Sequence, residues 1–141
     1  MRLAILTLLT WSLNAQEDPP EAIGIPAWIL TGIARVETQS YWDEKGFHYI
    51  DKRDGSAGEK GPWQVCPETW KEFSRKGERF SRLRTDNQYA LAVTCRILWR
   101  LYNRTHSWDS AIAAYNVGCA GSPSRGAQYL MLVKLAAGIT P

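Results

Sequence analysis

Between Pro26 and Ser40, apolar residues recur at helical spacing at Leu30, Ile33 and Val36, three positions apart, with Trp28 ahead of them. That spacing predicts an amphipathic helix. Pro26 suits its first turn, where a missing N–H costs nothing. The pattern then breaks. Tyr41 to Gly61 holds Gly46, Gly55, Gly58 and Gly61, which predicts an irregular lobe. Within it Phe47 to Ile50 reads as a short strand, and Asp54 with Gly55 as the turn of a small hairpin. Helical spacing resumes at Pro67, with Trp70 and Phe73 on one edge and Gly77 as the stop. Arg79 to Thr85 reads as a basic connector. The longest helix is expected from about Asp86, a good N-cap residue, to Arg104. Leu91, Cys95, Leu98 and Tyr102 form one of its stripes; Val93, Ile97 and Leu101 form another. A helix apolar on two sides belongs in the middle of a domain. The next helix should run from Trp108 to Asn116 and end at Gly118. The last starts near Ser122 or Ser124, presents Tyr129, Leu132, Val133 and Ala136, and stops at Gly138. The sum is a mainly α single domain with a small irregular or β-containing lobe.

One acid interrupts this pattern. Glu37 falls seven residues after Leu30 and four after Ile33, so it extends the apolar stripe of the first helix. Desolvation disfavours the charged form of a carboxyl. Such an acid keeps its proton near neutral pH and can donate it to a leaving group. The ordinary alternative is a glutamate at the helix rim that points into water.

Composition adds to this picture. The 141 residues fit one domain, and 45% are hydrophobic, enough for a core. Sixteen aromatics, seven of them tryptophan, exceed what a plain helical core requires. Their faces either fill the core or stack on sugar rings. Met1 and Arg2 precede an uncharged apolar run from Leu3 to Leu13, and Ala15 offers a small residue before a cut. This predicts an export signal over 1–15, a polar lead-in over 16–24 and the domain over 25–141. The run is too short to cross a bilayer, which takes roughly 20 apolar residues, so no stable membrane insertion is expected. Cys66, Cys95 and Cys119 allow one bridge and a free thiol, or no bridge. Lys71, Arg75, Lys76, Arg79, Arg82 and Arg84 crowd one segment, opposed by Glu68, Glu72, Glu78 and Asp86. Such a cluster is either a solvated face or an attraction for an anionic polymer. Zinc-ligand spacing, a phosphate loop and a nucleic-acid motif are absent from the sequence, so neither a metal, a cofactor nor a nucleic-acid partner is expected.

Four pieces stand in order along the chain: Glu37 and Thr38; Gly61, Pro62, Trp63 and Gln64; Ala114 through Gly118, reading Ala-Tyr-Asn-Val-Gly; and Tyr129. In this order they resemble the transglycosylase SLT family, lytic transglycosylases with a lysozyme-like fold related to goose-type lysozyme. The resemblance covers roughly Ile25 to Ala136. Thr38 stands where the family has serine, and Pro62 and Trp63 stand where it has Leu-Met. The resemblance implies a lysozyme-like domain that acts as a monomer on peptidoglycan strands in the periplasm or cell envelope. It implies cleavage of the bond from N-acetylmuramic acid to N-acetylglucosamine with a 1,6-anhydro product, Glu37 serving as acid and then as base.

The remaining residues carry paired readings. Gln64 hydrogen-bonds the sugar or stabilises its loop. Asn116 contacts substrate or caps a helix C-terminus. Tyr115 and Tyr129 line the cleft and orient Glu37, or are core tyrosines. Thr38 supports the carboxyl or the start of the lobe, or has no role. Trp63 stacks on a sugar or plugs the lobe. A hydrolase pairs its acid with a second carboxylate. Asp43, Glu44, Asp51, Asp54 and Glu59 all lie in the lobe, and the hydrolase alternative gives Asp51 or Asp54 the task of holding water. A non-catalytic wall-binding module is the other alternative.

Overall fold

The computed structural model describes residues 20–120 and 122–140. The expected export signal, Met1 to about Ala15, lies outside the described residues. Six helices and one two-stranded sheet follow a short 3-10 turn at Pro20–Ala22: α1 (Ala27–Thr38), β1 (Tyr41–Asp43), β2 (Gly46–His48), α2 (Pro67–Phe73), α3 (Arg82–Thr85), α4 (Asn87–Thr105), α5 (Trp108–Ala120) and α6 (Pro123–Ala136). The domain is mainly helical with a small β-containing lobe, as the pattern predicts. Among the described residues no helix is long and apolar enough to cross a membrane.

Burial explains the helices. Ile29, Leu30 and Ile33 of α1, Val93, Cys95, Ile97 and Leu98 of α4, Ile112 of α5 and Val133 of α6 form one buried cluster. Asp86 caps α4, its carboxylate accepting from the Tyr89 N–H at 3.0 Å. Helix α4 is buried on both expected stripes and packs against α5, α3 and α2. The N-terminal turn is pinned to it by Trp99, whose Nε1 donates to the Glu21 carbonyl at 2.9 Å.

The structure corrects four local expectations. The hairpin turns at Asp43–Gly46 rather than at Asp54 and Gly55, with Tyr41 opposite His48 and Trp42 opposite Phe47. There the Asp43 carboxylate accepts from the Lys45 N–H at 2.8 Å, and Gly46 supplies a φ of 114°. Helix α2 stops at Phe73, before Gly77, because the Ser74 N–H closes its last turn on Trp70 and the chain then extends. The basic connector contains the helical turn α3, held by buried Leu83. Helix α5 runs on through Gly118 to Ala120, so Asn116 lies inside a helix and not at its C-cap.

Among the described residues, three of the six crowded basic residues pair with carboxylates. Arg75 reaches Glu21, Arg82 reaches Asp86, and Arg84 reaches Asp54. Cys66 is disulfide-bonded, and Cys95 is buried in the core.

Candidate active site

The site begins where α1 and α6 touch. A Cβ on Gly32 would stand 2.6 Å from the Val133 carbonyl oxygen, so only glycine lets the helices come this close. Residues further along α1 then meet residues earlier in α6. Tyr129, one turn before Val133, thereby reaches the end of α1, and its hydroxyl donates to Glu37 Oε1 at 2.7 Å.

Glu37 lies on the half-buried edge of α1. Burial pushes its carboxyl up to about 7 from 4.5; the Tyr129 hydrogen bond opposes this and the nearby charge of Glu59 adds to it. The group thus sits near its own midpoint at neutral pH, able to give a proton and to take one back. Burial pushes the phenols of Tyr115 and Tyr129 well above the ordinary tyrosine range, so both remain donors.

The opposite wall is the lobe, folded back by a tight turn. Lys60 and Val65 exchange both backbone hydrogen bonds at 3.0 Å. Between them Gly61 takes φ 85°, and a Cβ there would meet the Leu83 carbonyl oxygen at 2.5 Å. Gln64 takes φ 49°, a left-handed conformation that costs a non-glycine residue energy. Its Nε2 donates to the Gly61 carbonyl at 3.0 Å. Gln64 therefore does stabilise its own turn, and it lines the cleft as well. Glu59 is held on the same wall, Oε2 accepting from the Ala57 N–H at 3.0 Å. Gly55 makes room for both side chains: a Cβ there would lie 2.0 Å from Glu59 Oε2 and 2.8 Å from Gln64 Oε1.

The two walls enclose a cleft of about 260 Å³ lined by Glu37, Gly55, Ser56, Glu59, Gln64, Tyr115 and Asn116. The structure thus brings Glu37, Gln64, Tyr115 and Asn116 together, with Tyr129 behind Glu37. Thr38 and Trp63 do not reach the cleft. Thr38 is buried; its hydroxyl donates to the Pro62 carbonyl at 2.9 Å and pairs with Ser40 at 2.6 Å, tying α1 to the lobe. Trp63 is fully buried, stacked on Phe47 at 5.3 Å, with its Nε1 donating to the Leu30 carbonyl at 3.0 Å. It plugs the lobe and leaves no face for a sugar. Its carbonyl accepts from the Tyr115 hydroxyl at 2.6 Å, which fixes α5 against the turn.

Asp51 and Asp54 are not in the cleft. Asp51 is clamped by Arg53, whose hydrogen bonds lower its pKa to about 2, and Asp54 pairs with Lys60 and Arg84. The carboxylate facing Glu37 is Glu59, which the sequence offered only as one of five lobe acids. Among the described residues no group of His, Cys, Asp and Glu could hold a metal ion.

The model of the family described as Transglycosylase SLT domain matches residues 18–128 of this chain. No curated protein and no solved structure matches it.

Proposed function

From the premise that the chain belongs to the transglycosylase SLT domain family, we propose that it is a lytic transglycosylase. It cleaves the β-1,4 bond between N-acetylmuramic acid and N-acetylglucosamine in peptidoglycan. One observation carries this reading: a half-buried glutamate with its pKa raised to about 7, hydrogen-bonded to Tyr129, in a cleft shared with Gln64 and Asn116.

The steps follow from that geometry. Glu37 gives its proton to the glycosidic oxygen as the bond to the muramic C1 breaks. The sugar's own acetamido oxygen stabilises the cationic carbon. Glu37, now a carboxylate, removes the proton of the C6 hydroxyl, whose oxygen closes on C1. A 1,6-anhydro ring forms, no water is consumed, and Glu37 recovers its proton. A pKa near the working pH suits both halves of this cycle. Tyr129 holds Glu37 and steadies its charged form. Gln64 and Asn116 offer amide groups to the sugar, and Tyr115 shapes the wall between them. Thr38 and Trp63 act on the site only by fixing the lobe. The chain works as a monomer in the periplasm or cell envelope, reached through an export signal over about 1–15.

Glu59 favours a second reading. A carboxylate across the cleft from the acid is what a hydrolase needs to hold water, and a muramidase of the same fold would give a reducing end instead. For the first reading, Glu37→Gln must abolish the clearing of purified peptidoglycan while the protein stays folded. Full clearing by that variant contradicts the role of Glu37.

A further inference from the structure

A second cavity, of about 170 Å³, adjoins the cleft and shares two of its lining residues, Gln64 and Tyr115. It lies between α2, α4 and α5. Its floor is apolar, with Val65 and Ile97 buried and Phe73 and Ala114 beside them. Its rim is charged. Arg100 and Arg104 stand one turn apart on α4, and Glu72 stands on α2. Among the described residues neither arginine pairs with a carboxylate, unlike Arg75, Arg82, Arg84 and Arg96. Arg100 instead rests its guanidinium over the Phe73 ring at 5.3 Å, which holds it at the cavity edge. Two forked cations with unused donors suit carboxylates.

We infer that this cavity binds the peptide branch carried by muramic acid, a carboxylate-bearing peptide with small apolar side chains and one free amine. The inference rests on the function proposed above. The branch leaves the lactyl arm at C3 of the same sugar whose C1 bond Glu37 cleaves, so a receptor for it is expected close to the acid's cleft. The cavity meets that expectation at Gln64 and Tyr115. The apolar floor takes the methyl groups, the arginines take the carboxylates, and Glu72 takes the amine. Rim charges in water contribute modestly, so the branch sets affinity and leaves the bond-breaking steps to the cleft.

The test compares glycan strands that carry their peptides with strands stripped of them by an amidase. The wild-type chain is expected to show the lower KM on peptide-bearing strands. Arg100→Gln with Arg104→Gln is expected to raise that KM roughly tenfold and close the gap between the two strands, which corresponds to about 1.4 kcal/mol. Arg104→Glu alone, which keeps Arg100 on Phe73, should move KM the same way and confirm that repacking is not the cause. A wild type without preference, or a double variant that keeps it, overturns the assignment while the proposed activity stands. A wild type inert on both strands overturns the activity and the assignment together.

Discussion

Holding Glu37 protonated costs the fold stability at neutral pH, and replacing it should return that stability. Its pKa is about 7 folded against 4.5 for an ordinary glutamate, a difference of 2.5. Each unit corresponds to 1.36 kcal/mol between the two protonation states. The wild type therefore loses about 3 kcal/mol as pH rises from below 4.5 through 7, because the folded state holds the proton that the unfolded state releases. Glutamine does not titrate here, and its carbonyl can still accept from the Tyr129 hydroxyl. Glu37→Gln should match the wild type's pH trend below 4.5, then gain on it until a plateau above 7. For a domain of this size the gain is roughly 10 °C in Tm. Thermal melts of both proteins from pH 4 to pH 8 measure it. A difference in Tm that does not change with pH would refute the claim that burial holds the proton on Glu37.

Three further substitutions probe the same carboxyl and its wall. Tyr129→Phe removes a donor to the charged form, a bond worth about 1.5–3 kcal/mol, so the alkaline limb of the pH–rate profile should move up by about one to two units. Glu59→Gln removes a neighbouring negative charge, so the same limb should move down, by less than Tyr129→Phe moves it up; an unmoved limb would mean the two acids do not sense each other. Gly55→Ala pushes a methyl into the space of Glu59 Oε2 and Gln64 Oε1, and should cut turnover of peptidoglycan at least tenfold with little change in Tm.

The helices were legible because burial dictates periodicity: the stripes of α1 and α4 are the faces that form the core. Glu37 was legible for the same reason, as an acid where the stripe called for an apolar residue. The turn chemistry was harder. Two acid–glycine neighbourhoods competed for the hairpin, and Asp43 won through a side-chain hydrogen bond to the Lys45 N–H. The Asp54–Gly55 stretch closes another way, the Gly55 N–H donating to the Glu59 carbonyl at 2.9 Å. That closure, with the fold-back of Lys60 to Val65, carries Glu59 to the cleft. No local pattern could separate it from Asp51 or Asp54, since Glu59 stands beside Lys60 in sequence much as Asp51 and Asp54 stand near Arg53, and the fold gives Lys60 to Asp54 instead. Trp63 was undecided for a similar reason. A tryptophan after Gly61 and Pro62 can face out or in, and the Leu30 carbonyl that receives its Nε1 lies 33 residues earlier.

The chemical claim is that Glu37 delivers a proton and then takes one from the sugar itself, so that water never enters the product. Digesting purified peptidoglycan with the wild-type chain and weighing the released muropeptides reads this directly. Fragments ending in 1,6-anhydro-N-acetylmuramic acid, one water lighter than their reducing counterparts, are the predicted result. Fragments ending only in reducing N-acetylmuramic acid would contradict the account and assign Glu59 the water of a hydrolase.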